Sequence, residues 1–222
     1  MKAKLTRRGF LTGAAATVAA TSIVPTRTPA QEPAKTADYR AYLVYADPEE
    51  QVEDATGKDI EGPFYRAGAP LRTTLFDKGE KGETLVVSGK VVARNGRPLA
   101  GVELDVWQCN ADGKYDNDDP NNPPKKDQYT LRGRLKTNDK GEYEFTTIKP
   151  VPYSIGQNQY RPAHIHLKAS LPGYTLLTTQ IYFHGDKYNK TDPWYKPARE
   201  IDPKPDAKKV LRATFKVVLA RA

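Results

Sequence analysis

The run "RPAHIHLKAS", Arg161 to Ser170, holds two of the three histidines in a chain of 222 residues, one residue apart. On a strand, positions i and i+2 share a face, so His164 and His166 point one way while Ile165 and Leu167 point the other. Two imidazoles roughly 7 Å apart along a strand can take neighbouring positions on one metal ion. They can equally be two hydrogen-bonded polar residues, and the pair alone leaves both readings open. A cupin pattern wants a glutamate a few residues later, where Lys168-Ala169-Ser170-Leu171 offers none. A copper–zinc dismutase site needs more histidines than the remaining His184 supplies, and the lone Cys109 excludes both a cysteine cluster and an internal disulfide framework.

Oxygen ligands remain, and the chain has 13 tyrosines. Phenolate is a hard anionic ligand suited to Fe(III), whose charge can ionise a tyrosine despite a solution pKa of about 10. Tyr143 in "GEYEF" and Tyr182 in "QIYF" read as core positions with capped hydroxyls. Tyr115 in "ADGKYDN" and Tyr153 in "KPVPYSI" differ, because each lies in a turn-rich, polar context at the end of a strand.

The elements that must position these residues are β-strands. From residue 84, "TLVVSGKVVARNGRPLAG" gives two Val-rich runs broken by Gly89, then an Asn95-Gly96 turn. "VELDVWQCN" alternates Val102, Leu104 and Val106 against polar and aromatic residues, and carries Cys109 as a small buried hydrophobe. Further short strands follow in "RGRLKTNDKGEYEFTTI", "AHIHLKAS", "TLLTTQIYF" and "VLRATFKVVLA", with no convincing amphipathic helix. The expected fold is all-β, an antiparallel β-sandwich core with an irregular N-terminal arm and long loops. Residues 117–128, polar and Pro-rich, form the longest of those loops.

Three segments are expected. Residues 1–30 combine a basic start, an apolar Ala/Val/Thr stretch and Thr28-Pro29-Ala30, a secretory signal in which Arg7-Arg8 adds a twin-arginine signature. That implies periplasmic or extracellular localisation and no stable membrane span after its removal. Residues 31–83 form an extended arm wrapping over the core, and residues 84–222 the sandwich. The signal supplies five of the formal +8 charges, leaving about +3 with no basic aromatic stripe, which excludes a nucleic-acid partner.

"PLAGVELDVWQCNADGKYDN", "RGRLKTNDKGEYEFTTIKPVPY", "RPAHIHLKAS" and "LLTTQIYFHGD", preceded by "EGPFYRAGAPLR", together resemble the intradiol ring-cleavage dioxygenases of catechol, hydroxyquinol and protocatechuate, in order from about residue 60 to about 187. The resemblance implies a non-haem Fe(III) cofactor held by Tyr115, Tyr153, His164 and His166, with Tyr153 and His164 axial. It implies a small aromatic diol and O2 as substrates, a muconate-type diacid as product, and a possible homo-oligomer. It gives Tyr153 a second task as a proton acceptor, puts Arg161 beside the substrate and makes Gln180 a lining residue of the pocket. "VPYSI" and Tyr160 depart from the family's usual residues, which bears on substrate identity and makes Tyr160 a competitor for the role of Tyr153. Arg66, Arg72, Arg132 and Arg134 are candidate partners for a substrate carboxylate. The same strand pattern also suits an exported transthyretin-like spacer module or an iron-binding homologue without turnover.

Overall fold

The structure is a computed structural model and describes residues 53–222; the expected export signal, residues 1–30, and residues 31–52 of the expected arm lie outside the described residues. Twelve strands follow one another: β1 (Thr84–Ala93), β2 (Glu103–Trp107), β3 (Arg132–Lys136), β4 (Glu142–Ile148), β5 (Tyr153–Gly156), β6 (Gln159–Arg161), β7 (His164–Ser170), β8 (Leu177–Phe183), β9 (Glu200–Ile201), β10 (Lys204–Pro205), β11 (Leu211–Thr214) and β12 (Val217–Leu219). The only helical pieces among the described residues are two single turns, Asn189–Thr191 and Pro197–Arg199.

Besides a two-stranded sheet, the β5–β6 hairpin, the strands build two five-stranded sheets. In one, the order runs β10-β11-β1-β12, with β4 also paired to β1; in the other it runs β3-β2-β7-β8-β9. A single apolar cluster draws Val87, Phe145 and Val217 from the first sheet and Leu104, Val106, Ile165, Leu167 and Ile181 from the second. Period-2 alternation produces this, since only one face of each strand can point between the sheets. Each such buried aliphatic side chain contributes about 1.5–3 kcal/mol relative to exposure. The fold is thus the expected all-β sandwich, but its sheets are mixed: β1 runs parallel to β11 and β12, and β8 runs parallel to β9.

Gly89 does not break β1 as its sequence suggests. The strand runs through it unbroken, and the partner changes instead, from β11 at Leu85–Ser88 to β12 at Val91–Ala93. Between them the Phe215 carbonyl crosses Gly89 so closely that a Cβ there would sit 1.9 Å from its oxygen. The Tyr143 hydroxyl donates to that same carbonyl at 2.6 Å, which caps this core tyrosine as expected. The Asn138–Gly141 turn is a corner, because β3 and β4 on either side of it belong to different sheets.

The outer face of the second sheet is buried too, although no further large sheet covers it among the described residues. Trp107, His164, His166, Gln180 and Tyr182 all lie there with almost no exposure. Residues 59–72 run across it, tied by backbone bonds such as Asp59 N–H to Thr178 O (2.8 Å) and Arg72 N–H to Arg134 O (2.9 Å). Leu75 leaves this path to enter the apolar core.

Candidate metal centre

His164 and His166 sit on the outer face of β7, opposite Tyr182 and Gln180 of β8, with His166 also opposite Trp107 of β2. The indole of Trp107 stacks flat on the His166 ring at 4.7 Å, which fixes that ring's plane. The Nδ1 of His164 lies 2.7 Å from the Pro162 carbonyl, a bond only an Nδ1–H can donate, so Nε2 carries the lone pair. Both Nε2 atoms aim at one oxygen: the Tyr115 hydroxyl is 3.4 Å from His164 Nε2 and 3.2 Å from His166 Nε2.

Tyr115 is delivered by the loop between β2 and β3. The Asn110 side chain accepts from the backbone N–H of Asp112 and Lys114, closing the "NADGK" turn in front of it. Behind it, Asp116 receives Arg66, Arg132 and the Thr130 N–H, so three donors pin the residue next to the phenol. From above, Phe64 of the arm stacks on the Tyr115 ring at 4.4 Å. Tyr153 opens β5 and meets Tyr115 edge-on, ring centroids 5.8 Å apart, with His164 at 5.6 Å. Gly113, at φ +74°, makes this approach possible, since a Cβ there would lie 2.9 Å from the Tyr153 Cβ.

The donor set fits a cation. Burial holds the His164 imidazole down at about 3 and pushes His166 well below its ordinary value, so both rings are neutral at pH 7. Burial likewise raises the Tyr115 and Tyr153 phenols. The His164 Nε2 lone pair and the His166 Nε2 converge on the one Tyr115 oxygen, and the His166 Nδ1 is buried with no hydrogen-bond partner among the described residues. Among the described residues no group of three or more His, Cys, Asp or Glu side chains could hold a metal, so any ion here depends on phenol oxygens. Cys109 stays a protonated thiol, its pKa pushed up by burial to about 11; it lies just beyond the end of β2.

Tyr153 and Arg161 face an open cavity of about 600 Å³, together with Ile60, Phe64, Ile155, Tyr160 and Trp194. A second cavity of about 460 Å³ borders Tyr115 beneath residues 122–128, away from both histidines and Arg161. Arg161 is nearly fully buried and fixed on three sides. Its Nε donates to Asp192, its Nη2 to Gln180 Oε1 at 2.8 Å, and the Trp194 ring covers its guanidinium at 4.7 Å. The cation is therefore oriented before any ligand arrives.

Gln180 occupies a different position from the pocket wall anticipated for it. It is fully buried behind Arg161, its Oε1 accepting from Arg161 and Tyr182 and its Nε2 donating to Ile60 O and Asp59. With both ends of its amide engaged, it orients the arginine. Tyr160 is 42 % exposed, stacked on Tyr188 at 4.9 Å and facing the cavity, outside the Tyr115–His164–His166 cluster. The four candidate arginines are committed elsewhere: Arg66 and Arg132 to Asp116, Arg72 to backbone carbonyls, Arg134 to Glu103.

Sequence reasoning missed Asp59, Asp192 and Trp194. Asp59 accepts from Gln180, Tyr182 and Arg199 and so latches the arm to β8 and to the 189–199 segment. Neither acid lies in a periodic pattern that would mark it, although "TDPWYKP" does join an acid and an aromatic at a turn.

Fold and cluster together define an all-β sandwich with a histidine–tyrosine centre at the head of an open cavity. The family model described as "Dioxygenase" matches residues 60–219. Over 156 residues the chain is 39 % identical to a chlorocatechol 1,2-dioxygenase of Rhodococcus opacus, covering 62 % of this chain and 60 % of that one. It is also 39 % identical to catechol 1,2-dioxygenase 2 of Acinetobacter lwoffii over 153 residues, 62 % and 54 % of the two chains. Among solved structures, 3-chlorocatechol 1,2-dioxygenase from Rhodococcus opacus superposes with a TM-score of 0.69 at 30 % identity, over 84 % of this chain and 79 % of the other. The dioxygenase domain of a dioxygenase–carbohydrate-binding protein fusion from Streptomyces sp. SirexAA-E gives 0.64 at 36 % identity, over 76 % of this chain and all of that domain. The chain belongs to the intradiol dioxygenase family. It spans only 54–60 % of the length of those two enzyme relatives.

Proposed function

We propose that this chain cleaves a catechol-type ring between its two hydroxyl-bearing carbons with O2, at a non-haem ferric iron held by Tyr115, Tyr153, His164 and His166. The observation that carries the reading is the convergence of two neutral imidazole Nε2 atoms on the Tyr115 oxygen, with Tyr153 and Arg161 on the adjoining cavity wall. Family membership and the names of the relatives support it. The overall reaction balances without another reductant: one carbon–carbon bond breaks, both oxygen atoms enter the product, and a diol becomes a diacid.

When bound, ferric iron supplies the pull that ionises phenols and diol and draws electron density from the ring. The protein's own groups divide the rest. Tyr115, stacked under Phe64 and deeply buried, has no room to move. Tyr153 is only half-buried, on the cavity side, and can hold a diol proton at its Oη as a phenol, the form that burial favours. Arg161 keeps its charge beside Asp192 and presents it to negative charge developing on the diol, while Trp194 shields it from water. The hydrogen bond from His164 Nδ1 to Pro162 O keeps Nε2 free as a ligand through the cycle.

Iron-loaded protein is expected to show a visible tyrosinate-to-iron charge-transfer band and to take up one O2 per catechol. A colourless ferric protein would sink the ligand assignment, and a coloured protein without oxygen uptake would point to a homologue that has lost turnover. We also propose export by the twin-arginine route, supported by Arg7-Arg8 and the apolar run behind them. Periplasmic fractionation of wild type and an Arg7→Lys, Arg8→Lys double variant tests it, with loss of export in the variant as the expected result.

A further inference from the structure

Five large hydrophobic side chains are exposed among the described residues, and three of them, Ile155, Tyr160 and Trp194, line the cavity that holds Tyr153 and Arg161. Scattered single exposures need no explanation, but a cluster at the mouth of a pocket marks a surface that meets an apolar ligand. The three arise from separate segments, the β5–β6 hairpin and the 189–199 segment, so one local irregularity does not account for them. Gln157 and Asn158, both at positive φ, close the hairpin in a tight turn, followed by β6 carrying Tyr160. Tyr160 is braced from behind by its stack on Tyr188, and Trp194 by Arg161. Both aromatic rings are therefore set before a ligand arrives.

The charges in the same wall point the same way. Its two cations are already paired, Lys114 with Asp118 at 3.0 Å and Arg161 with Asp192, and Asp112 adds a further carboxylate. A substrate carboxylate there would have to compete with Asp118 and Asp192 for cations already bonded to them, beside the further acid Asp112. The cavity, at about 600 Å³, also lies in the range that drug-sized ligands fill, well beyond what a bare six-membered ring needs.

We propose that this cavity selects catechols carrying an uncharged aryl or alkyl substituent, with the diol at Tyr153 and Arg161 and the substituent against Ile155, Tyr160 and Trp194. This rests on the ring-cleavage reading above. The test compares kcat/KM of the iron-loaded full chain for catechol, 4-phenylcatechol and protocatechuate by oxygen uptake. Expected is a preference for 4-phenylcatechol over catechol of about tenfold, set by the apolar area the second ring buries, with protocatechuate the poorest of the three. Ile155→Ser and Tyr160→Ser, at exposed positions that the fold does not need, should cut the 4-phenylcatechol to catechol ratio by about fivefold, and Ile155→Leu should restore it. A ratio that the serine variants leave unchanged, or a preference for protocatechuate, overturns the proposal. Calorimetric binding of 4-phenylcatechol and catechol to the same proteins separates the two readings. Variant-sensitive preference for the larger ring without turnover would sink ring cleavage and keep the apolar wall. Equal binding of both rings would overturn the wall whatever the turnover.

Discussion

On one side of β7, Ile165 and Leu167 lie fully buried among Leu104, Val106 and Ile181. On the other, one residue away along the strand, His164 and His166 are buried beneath Trp107, Tyr115 and the arm. The inner side is closed by matching apolar surfaces and needs nothing further. The outer side holds neutral imidazoles, raised phenols and an arginine caged by carboxylate and amide, which is costly burial unless each group has a partner. A sheet can thus carry a stabilising face and a reactive face on the same strand, provided something other than a sheet covers the second. In this chain the cover is the arm.

Substitutions on the two sides should separate stability from chemistry. His166→Ala is expected to reduce oxygen uptake by more than about 10³-fold, some 4 kcal/mol of transition-state stabilisation, and to leave less than stoichiometric iron in a protein that still melts cooperatively. Ile165→Ala, its neighbour, should cost about 2–5 kcal/mol in denaturant unfolding while iron per folded chain stays at the wild-type level. If Ile165→Ala bleached the iron as well, the two faces would not be independent. Asp192→Asn frees Arg161 on its Nε side. It should lower kcat about 10–100-fold with a smaller change in KM, and Asp192→Glu should recover part of the loss. A merely structural role would lower the melting midpoint without that kcat–KM split.

The smallest expected effect lies far from both faces. His184 is exposed, and its bond to Glu200 raises its pKa, with Asp202 adding to and Lys204 opposing the shift. A folded-state pKa above the unfolded one gives stability that is fully present below about pH 6.5 and is lost as pH rises through the raised value. His184→Asn should flatten that slope slightly between pH 6 and 8, and an unchanged slope would remove the pair from consideration.

The strands were legible because alternation is local: "VELDVW" and "HIHLKAS" state their faces within a few residues. The same rule put His164 and His166 on one face opposite Ile165, without naming a metal. Tyr115 lies 49 and 51 positions from the two histidines, a spacing with no pattern to read, so it joined them only through resemblance to a family. Charges were read least well. Arg66 and Arg132 looked available for a substrate because sequence does not reveal that Asp116 collects both. Resemblance alone made Gln180 a wall residue, and a β-strand glutamine gives no sign in sequence that its amide is fully engaged. The parallel pairing of β1 was hidden for a related reason, since pairing partners 120 or more residues apart leave no local trace.

Asp59 reaches across 121 residues to Gln180, 123 to Tyr182 and 140 to Arg199. Closing so long a loop costs only about 0.6 kcal/mol more than closing one half its length, so equilibrium hardly registers the distance. Kinetics does, because the donors of these bonds are not assembled until β7 and β8 have paired. Pulse-labelling during refolding should therefore protect the β7–β8 amides before the Asp59 amide. The sandwich would exist for a time with its histidine face open to water, and the docking of one aspartate would set when that face closes.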